Sequence, residues 1–293
     1  MGFRAAIAHS NLYVAGAAGA VCAASVCDGL GPVPTGAGLI SGPWLGPVIG
    51  PLLGPTLAAG FGAGCVYTLD RLVGAPSDQD DRSAMFARNR ARLWPWAVLL
   101  GLGAAAGVVA SSTGAQLALA GVAAVSLLYC VPWLPWRGQR LRLAQVPYAK
   151  AVLVGLAWAG ATAVAPMLAI GRDLGPVAWA SLERALFIVA LTLPIDLRDL
   201  EADRRAGVRT VARGWGEAGV RRVSVAALAG AAAIAGMRHG LVGAWPSWTA
   251  YVAAAWVTAA ASTKRGPGFF AWAPDAPIWL WAGLMVGRRL LAD

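Results

Sequence analysis

The chain has 293 residues, 58% of them hydrophobic and only 13% charged, with a mean hydropathy of +0.61. Soluble domains carry roughly 25% charged residues, so this composition excludes a water-soluble globular fold and makes lipid the solvent for most of the chain. The net charge of +10 then belongs to loops facing anionic lipid or an anionic substrate, and nucleic acid is not an expected partner.

A hydrocarbon core about 30 Å thick takes about 20 apolar residues per helix. The chain offers about nine such stretches, at 5–27, 48–73, 93–112, 115–133, 146–168, 177–196, 219–238, 243–262 and 271–291. The first reads as a span and not as a cleaved leader, because Arg4 alone is a weak basic region and the apolar run is long. Residues 28–47 are a Gly/Pro-rich outer connection, and Ser111 to Gly114 is a tight turn between antiparallel helices. Ala, Leu, Val and Gly runs of this length lack the alternation of barrel strands, and lipid admits only helices or closed barrels. The expected fold is therefore all-α, a polytopic membrane bundle of about nine transmembrane helices forming one domain over 1–293. Cys22, Cys27, Cys65 and Cys130 lie inside apolar runs without a CxxC pair, and read as small buried hydrophobes.

With the N-terminus inside, Arg4 and the segments 71–92, 134–150, 197–222 and 262–268 share one face and hold 19 of the 24 basic residues. That face is expected to be cytoplasmic. It also collects 9 of the 14 acids, a mixture that orientation alone does not require and that points to a site.

The chemistry concentrates where the sixth stretch ends. Asp196, Asp199 and Asp203 recur at helical spacing, so one helix face would carry three carboxylates. Crowded anions need a cation. A hard divalent ion such as Mg²⁺ suits carboxylates together with phosphate oxygens, and Arg198, Arg204, Arg205 and Arg209 stand close by to contact phosphate. The competing reading is a solvated helix end paired at i,i+3 and i,i+4, as between Glu201 and Arg205.

The run Asp196-x-x-Asp199-x-x-x-Asp203, followed by Gly207, Arg209 and Thr210, resembles the second aspartate motif of the UbiA superfamily of intramembrane prenyltransferases. Tyr129 to Trp133 with Arg142, Pro147 and Lys150, and Phe269 to Asp275, are similar to further segments of that family. The resemblance implies nine transmembrane helices and two aspartate-rich motifs, after the second and sixth spans, that bind Mg²⁺ and a prenyl diphosphate. The first motif departs from NDxxDxxxD: Val66 stands at the Asn, Tyr67 at the first Asp, Asp70 in the middle and Gly74 at the third. Asp78, Asp80 and Asp81 follow, either as replacement ligands or as an exposed acidic loop, with Pro76 breaking the helix face between.

The resemblance implies Asp70, Asp196, Asp199 and Asp203 as metal-binding and catalytic residues. Tyr67 and Arg71 either bond diphosphate oxygens or anchor the helix at the interface. Lys150 is a diphosphate contact or a snorkelling lysine, Arg204 and Arg209 are diphosphate contacts, and Asn11 reaches the substrate or caps its helix. The implied activity is Mg²⁺-dependent transfer of an isoprenoid chain from a prenyl diphosphate to a small, possibly aromatic, acceptor. The alternatives are a membrane terpene cyclase of the same superfamily, or a non-catalytic isoprenoid-binding relative. Trp158, Trp179 and Trp256 are the tryptophans expected to line a chamber, and Glu183 with Arg184 an internal ion pair.

Overall fold

The computed structural model describes residues 13–29, 45–74, 89–136, 139–205 and 207–291. Asn11 and the acids Asp78, Asp80 and Asp81 lie outside the described residues. Six helical stretches are long and apolar enough to cross a membrane: Gly50–Val73, Arg90–Val109, Thr113–Cys130, Ala149–Ala169, Leu174–Arg198 and Val211–Gly243. They correspond to the second through seventh expected spans. The first, eighth and ninth appear as shorter apolar helices, α1 (Tyr13–Gly29), α10 (Trp245–Ala260) and α12 (Ala276–Leu291).

The second span belongs to α2 (Leu45–Gly74), which packs along α3 (Arg90–Val109). Their approach depends on glycine, since a Cβ on Gly107 would stand 2.5 Å from the Ala58 nitrogen and 2.8 Å from the Gly54 oxygen. The expected tight turn then leads to α4 (Thr113–Cys130), with the Ser111 hydroxyl bonding the Gly107 carbonyl at 2.8 Å. A short hairpin, β1 (Leu134–Trp136) and β2 (Gln139–Leu141), connects α4 to α5 (Ala149–Ala169). Midway, α5 widens into a π turn over Gly160–Val164. Pro166 explains it, because its ring collides with the carbonyl four residues back in a regular helix.

α6 (Leu174–Thr192) stops at Pro194, which cannot donate to the Ala190 carbonyl; the Ser224 hydroxyl on α9 (Val211–Gly243) donates to it instead, at 3.1 Å. Two short helices follow, α7 (Ile195–Arg198) and α8 (Leu200–Arg205), and α11 (Pro267–Trp272) leads into α12. The main core gathers side chains of α1, α5, α6, α9, α10 and α12, among them Val21, Trp158, Phe187, Leu228, Tyr251 and Trp281.

Inside this core sits a second set of charges. Glu183 accepts from the Tyr251 hydroxyl at 2.5 Å and the Ser247 hydroxyl at 3.3 Å, and pairs with Arg238. The partner of Glu183 is thus Arg238, from another helix, and not the expected Arg184, because adjacent helical residues point about 100° apart. Arg184 lies over the Trp281 ring, 3.5 Å from its centroid, and reaches Ser25 at 3.3 Å.

Candidate active site

The second acidic motif does not continue as one helix. Pro194 ends α6, and Asp199, with φ −89° and ψ 4°, forms the joint between α7 and α8. The three carboxylates converge nonetheless, because α5 delivers a cation between them. Lys150 Nζ stands 3.0 Å from Asp196 Oδ1, 3.7 Å from Asp199 Oδ2 and 3.9 Å from Asp203 Oδ2. Asp196 and Asp203 are buried, so this ion cluster lies largely out of water and is little screened.

Arg198 holds Asp199 from the other side with a forked pair of bonds, Nε to Oδ1 at 2.7 Å and Nη2 to Oδ2 at 3.0 Å. Burial pushes the Asp199 carboxyl up, but Arg198, Lys150 and Arg71 overcome this and hold it down at about 2. It is therefore ionised at any physiological pH, and Arg71 at the end of α2 lies close enough to act on it.

The loop after α8 has the local features its sequence requires. Gly207 takes φ +71°, and the Thr210 hydroxyl caps α9 by accepting from the Arg213 nitrogen at 3.3 Å. Arg204 turns away to Glu201 at 3.9 Å, Arg205 approaches the same acid at 3.3 Å, and Arg209 is exposed. The structure brings Lys150 and Arg198 into the cluster and leaves Arg204 and Arg209 at its solvent side.

Asp70 pairs with Arg142, 3.6 Å away on the turn after β2. Together with Tyr67 and Tyr129 it rims a cavity of about 620 Å³ that runs between α2, α3, α4 and α5. Its wall is apolar, with Gly62, Ala104, Ala123 and Trp158 among the lining residues. From Asp70 to Ala58, both lining residues, are twelve residues of α2, a depth of about 18 Å at about 1.5 Å each. Of the three tryptophans expected there, only Trp158 lines the chamber; Trp179 and Trp256 are 51% and 73% exposed and face outward. Cys65 also lines it, whereas Cys22 and Cys130 are buried as expected.

Among the described residues, no three of His, Cys, Asp or Glu are grouped closely enough to hold a metal ion by themselves. The donor chemistry at Asp196, Asp199 and Asp203 nevertheless suits Mg²⁺, which takes only one or two carboxylates and completes its shell with water and phosphate.

The model of the UbiA prenyltransferase family matches residues 30–268. The chain belongs to that family. No curated protein sequence matches the chain. Solved UbiA homologues share its fold over nearly their whole length. The apo protein from Aeropyrum pernix K1 is 16% identical, with a TM-score of 0.67 over 94% of this chain and 98% of that one. The homologue from Archaeoglobus fulgidus bound to GPP and Mg²⁺ is 14% identical, with a TM-score of 0.65 over 96% of this chain and 98% of its own. The same protein bound to DMAPP and Mg²⁺ is 15% identical, with a TM-score of 0.64 over 97% and 98%.

For a UbiA prenyltransferase family chain, three residues that the sequence names without giving them a partner or a direction are informative. Arg142 and Tyr129 were visible as parts of a family-like connection, yet nothing local tied them to Asp70. Trp158 carries no signal that separates it from Trp179, since both sit on apolar helices and only packing turns one of them inward.

Proposed function

We propose that this chain is a Mg²⁺-dependent prenyltransferase that moves an isoprenoid chain from a prenyl diphosphate to a small acceptor. The observation that carries the reading is the junction of two environments: an apolar chamber about 18 Å deep whose lining reaches Tyr67 and Asp70, near basic groups and clustered carboxylates. With carbon–carbon bonds of about 1.5 Å, an extended isoprene unit measures about 5 Å, so about three units fit this depth.

Asp196, Asp199 and Asp203, with Asp70 across the mouth, are the residues that would hold Mg²⁺. When bound, the ion supplies charge stabilisation to the leaving diphosphate. Lys150, Arg71, Arg142 and the Tyr67 hydroxyl offer cationic and neutral donors around the same mouth, where fixed charges act on the developing oxyanions. The allylic C–O bond breaks with its electron pair going to the diphosphate. The acceptor's nucleophile then bonds the freed carbon and loses a proton to solvent at the mouth. Trp158, Tyr67 and Tyr129 line the chamber, where aromatic rings would stabilise positive charge on the allyl group, and the apolar wall would keep water from capturing it. We read residues 1–293 as one domain, with the mouth on the cytoplasmic face because the segments expected on that face hold 19 of the 24 basic residues.

Diphosphate release from lipid-reconstituted protein, given C10, C15 and C20 allylic diphosphates and Mg²⁺ with and without an aromatic acceptor pool, tests this reading. Release that depends on the acceptor and yields an adduct supports transfer. Release without acceptor, giving a cyclic hydrocarbon or alcohol, identifies a cyclase instead, and binding without release identifies a receptor.

A further inference from the structure

We propose that Lys150 is the resident cation of the second aspartate motif, holding Asp196, Asp199 and Asp203 together at rest and competing with a divalent ion for them. This rests on reading that motif as the metal and diphosphate site.

Three observations converge on it. First, the ammonium stands within 3.0 to 3.9 Å of all three carboxylates. Second, the residue type is particular. The chain has 22 arginines and two lysines, Lys150 and Lys264, and one of the two stands here. An ammonium is compact and donates in three directions, whereas a guanidinium is a planar fork that serves carboxylates in its own plane. Third, the placement is built. Tyr148 begins α5 with φ +61°, in the left-handed region that non-glycine residues seldom adopt. Its nitrogen donates to the Arg209 carbonyl at 2.9 Å, and its ring lies 6.1 Å from that of Trp215. These contacts fasten the start of α5 to the segment following the motif, so Lys150, two residues on, is carried into the carboxylates.

The consequence is a coupled site. A divalent ion arriving alone must displace an ammonium that has no new partner to go to. Arriving with diphosphate, it takes the carboxylates while the ammonium, tethered at the same mouth, turns to phosphate oxygens. Metal and diphosphate therefore bind cooperatively, and metal alone binds weakly.

Mn²⁺ binding followed by electron paramagnetic resonance, on the full chain in nanodiscs, tests this with the wild type and Lys150→Met. The variant is expected to bind Mn²⁺ without diphosphate at least about tenfold more tightly, since a like charge a few ångströms away has been removed. It is also expected to gain less from added inorganic pyrophosphate. A second measurement needs only the wild type: ¹³Cε-lysine labelling leaves both ammonium groups intact and gives two lysine resonances. Mg²⁺ with pyrophosphate should move that of Lys150 and leave that of Lys264, while Mg²⁺ alone at the same concentration leaves both. Equal or weaker Mn²⁺ affinity in the variant, or a Lys150 resonance that Mg²⁺ with pyrophosphate does not move, overturns the proposal and leaves the metal reading standing. Failure of both proteins to bind Mn²⁺ even with pyrophosphate overturns the metal reading and the proposal together.

Discussion

Two buried ionic clusters lie along the same sixth helix and its continuation, thirteen residues apart, and they are built oppositely. Around Glu183, one carboxylate is met by Arg238, the Tyr251 hydroxyl and the Ser247 hydroxyl, with Ser247 itself held by Trp281 at 3.1 Å. Around Lys150, one ammonium is shared by three carboxylates. The first cluster surrounds a single acid with donors and sits in the core; the second crowds acids at a helix joint near a chamber mouth. A charge surrounded by fixed donors has little left to offer a ligand, whereas three carboxylates that share Lys150, with Arg198 forked onto Asp199, form a cluster whose ion pairs can be exchanged. Burial of charge in a membrane bundle marks function by default, and the two clusters differ in which sign of charge is gathered round the other.

The contrast can be broken by mutation. The largest expected effect is on turnover: Asp196→Ala lowers it by about 10³-fold, while thermal unfolding in detergent stays near wild type because Asp199 and Asp203 still neutralise Lys150. A variant that keeps turnover removes Asp196 from the reaction. Glu183→Ala should do the reverse, costing about 3–5 kcal/mol of stability by removing the buried carboxylate that meets Arg238, Tyr251 and Ser247, with diphosphate affinity unchanged in the protein that remains folded. A Glu183→Ala protein that unfolds normally but has lost diphosphate affinity would make the core cluster part of the site. Tyr67→Phe, measured by diphosphate affinity, should weaken binding by about tenfold for the loss of one bond to a charged group; no change would leave the phenol as an anchor. Ser247→Ala should be mildest, costing about 1 kcal/mol in the same unfolding assay, because Tyr251 and Arg238 still hold Glu183.

Much of this was legible beforehand for a local reason. Apolar run length gives helices in lipid, and the second to seventh spans appear close to where hydropathy puts them. The shorter α1, α10 and α12 fall where the remaining runs lie. The spacing of Asp196, Asp199 and Asp203 correctly pointed to one cluster, although the single helix face behind that expectation is interrupted at Asp199. The pairing of Glu201 with Arg205, named for the competing reading of a solvated helix end, is present at 3.3 Å, because i,i+4 neighbours meet on any helical turn. Glu183 and Arg184 fail by the same rule, since neighbours in sequence diverge around a helix.

By itself, then, the amino-acid sequence determined the solvent and the helical class, because these follow from composition and from regularities within a few residues. Only the tertiary structure decided that Lys150 enters the Asp196 cluster, that Arg142 takes Asp70, that Glu183 belongs to Arg238, and that Trp158 faces the chamber. Each joins residues from separate elements, 46 apart in the case of Lys150 and Asp196. No spacing rule reaches that far, and packing of one helix against another sets it.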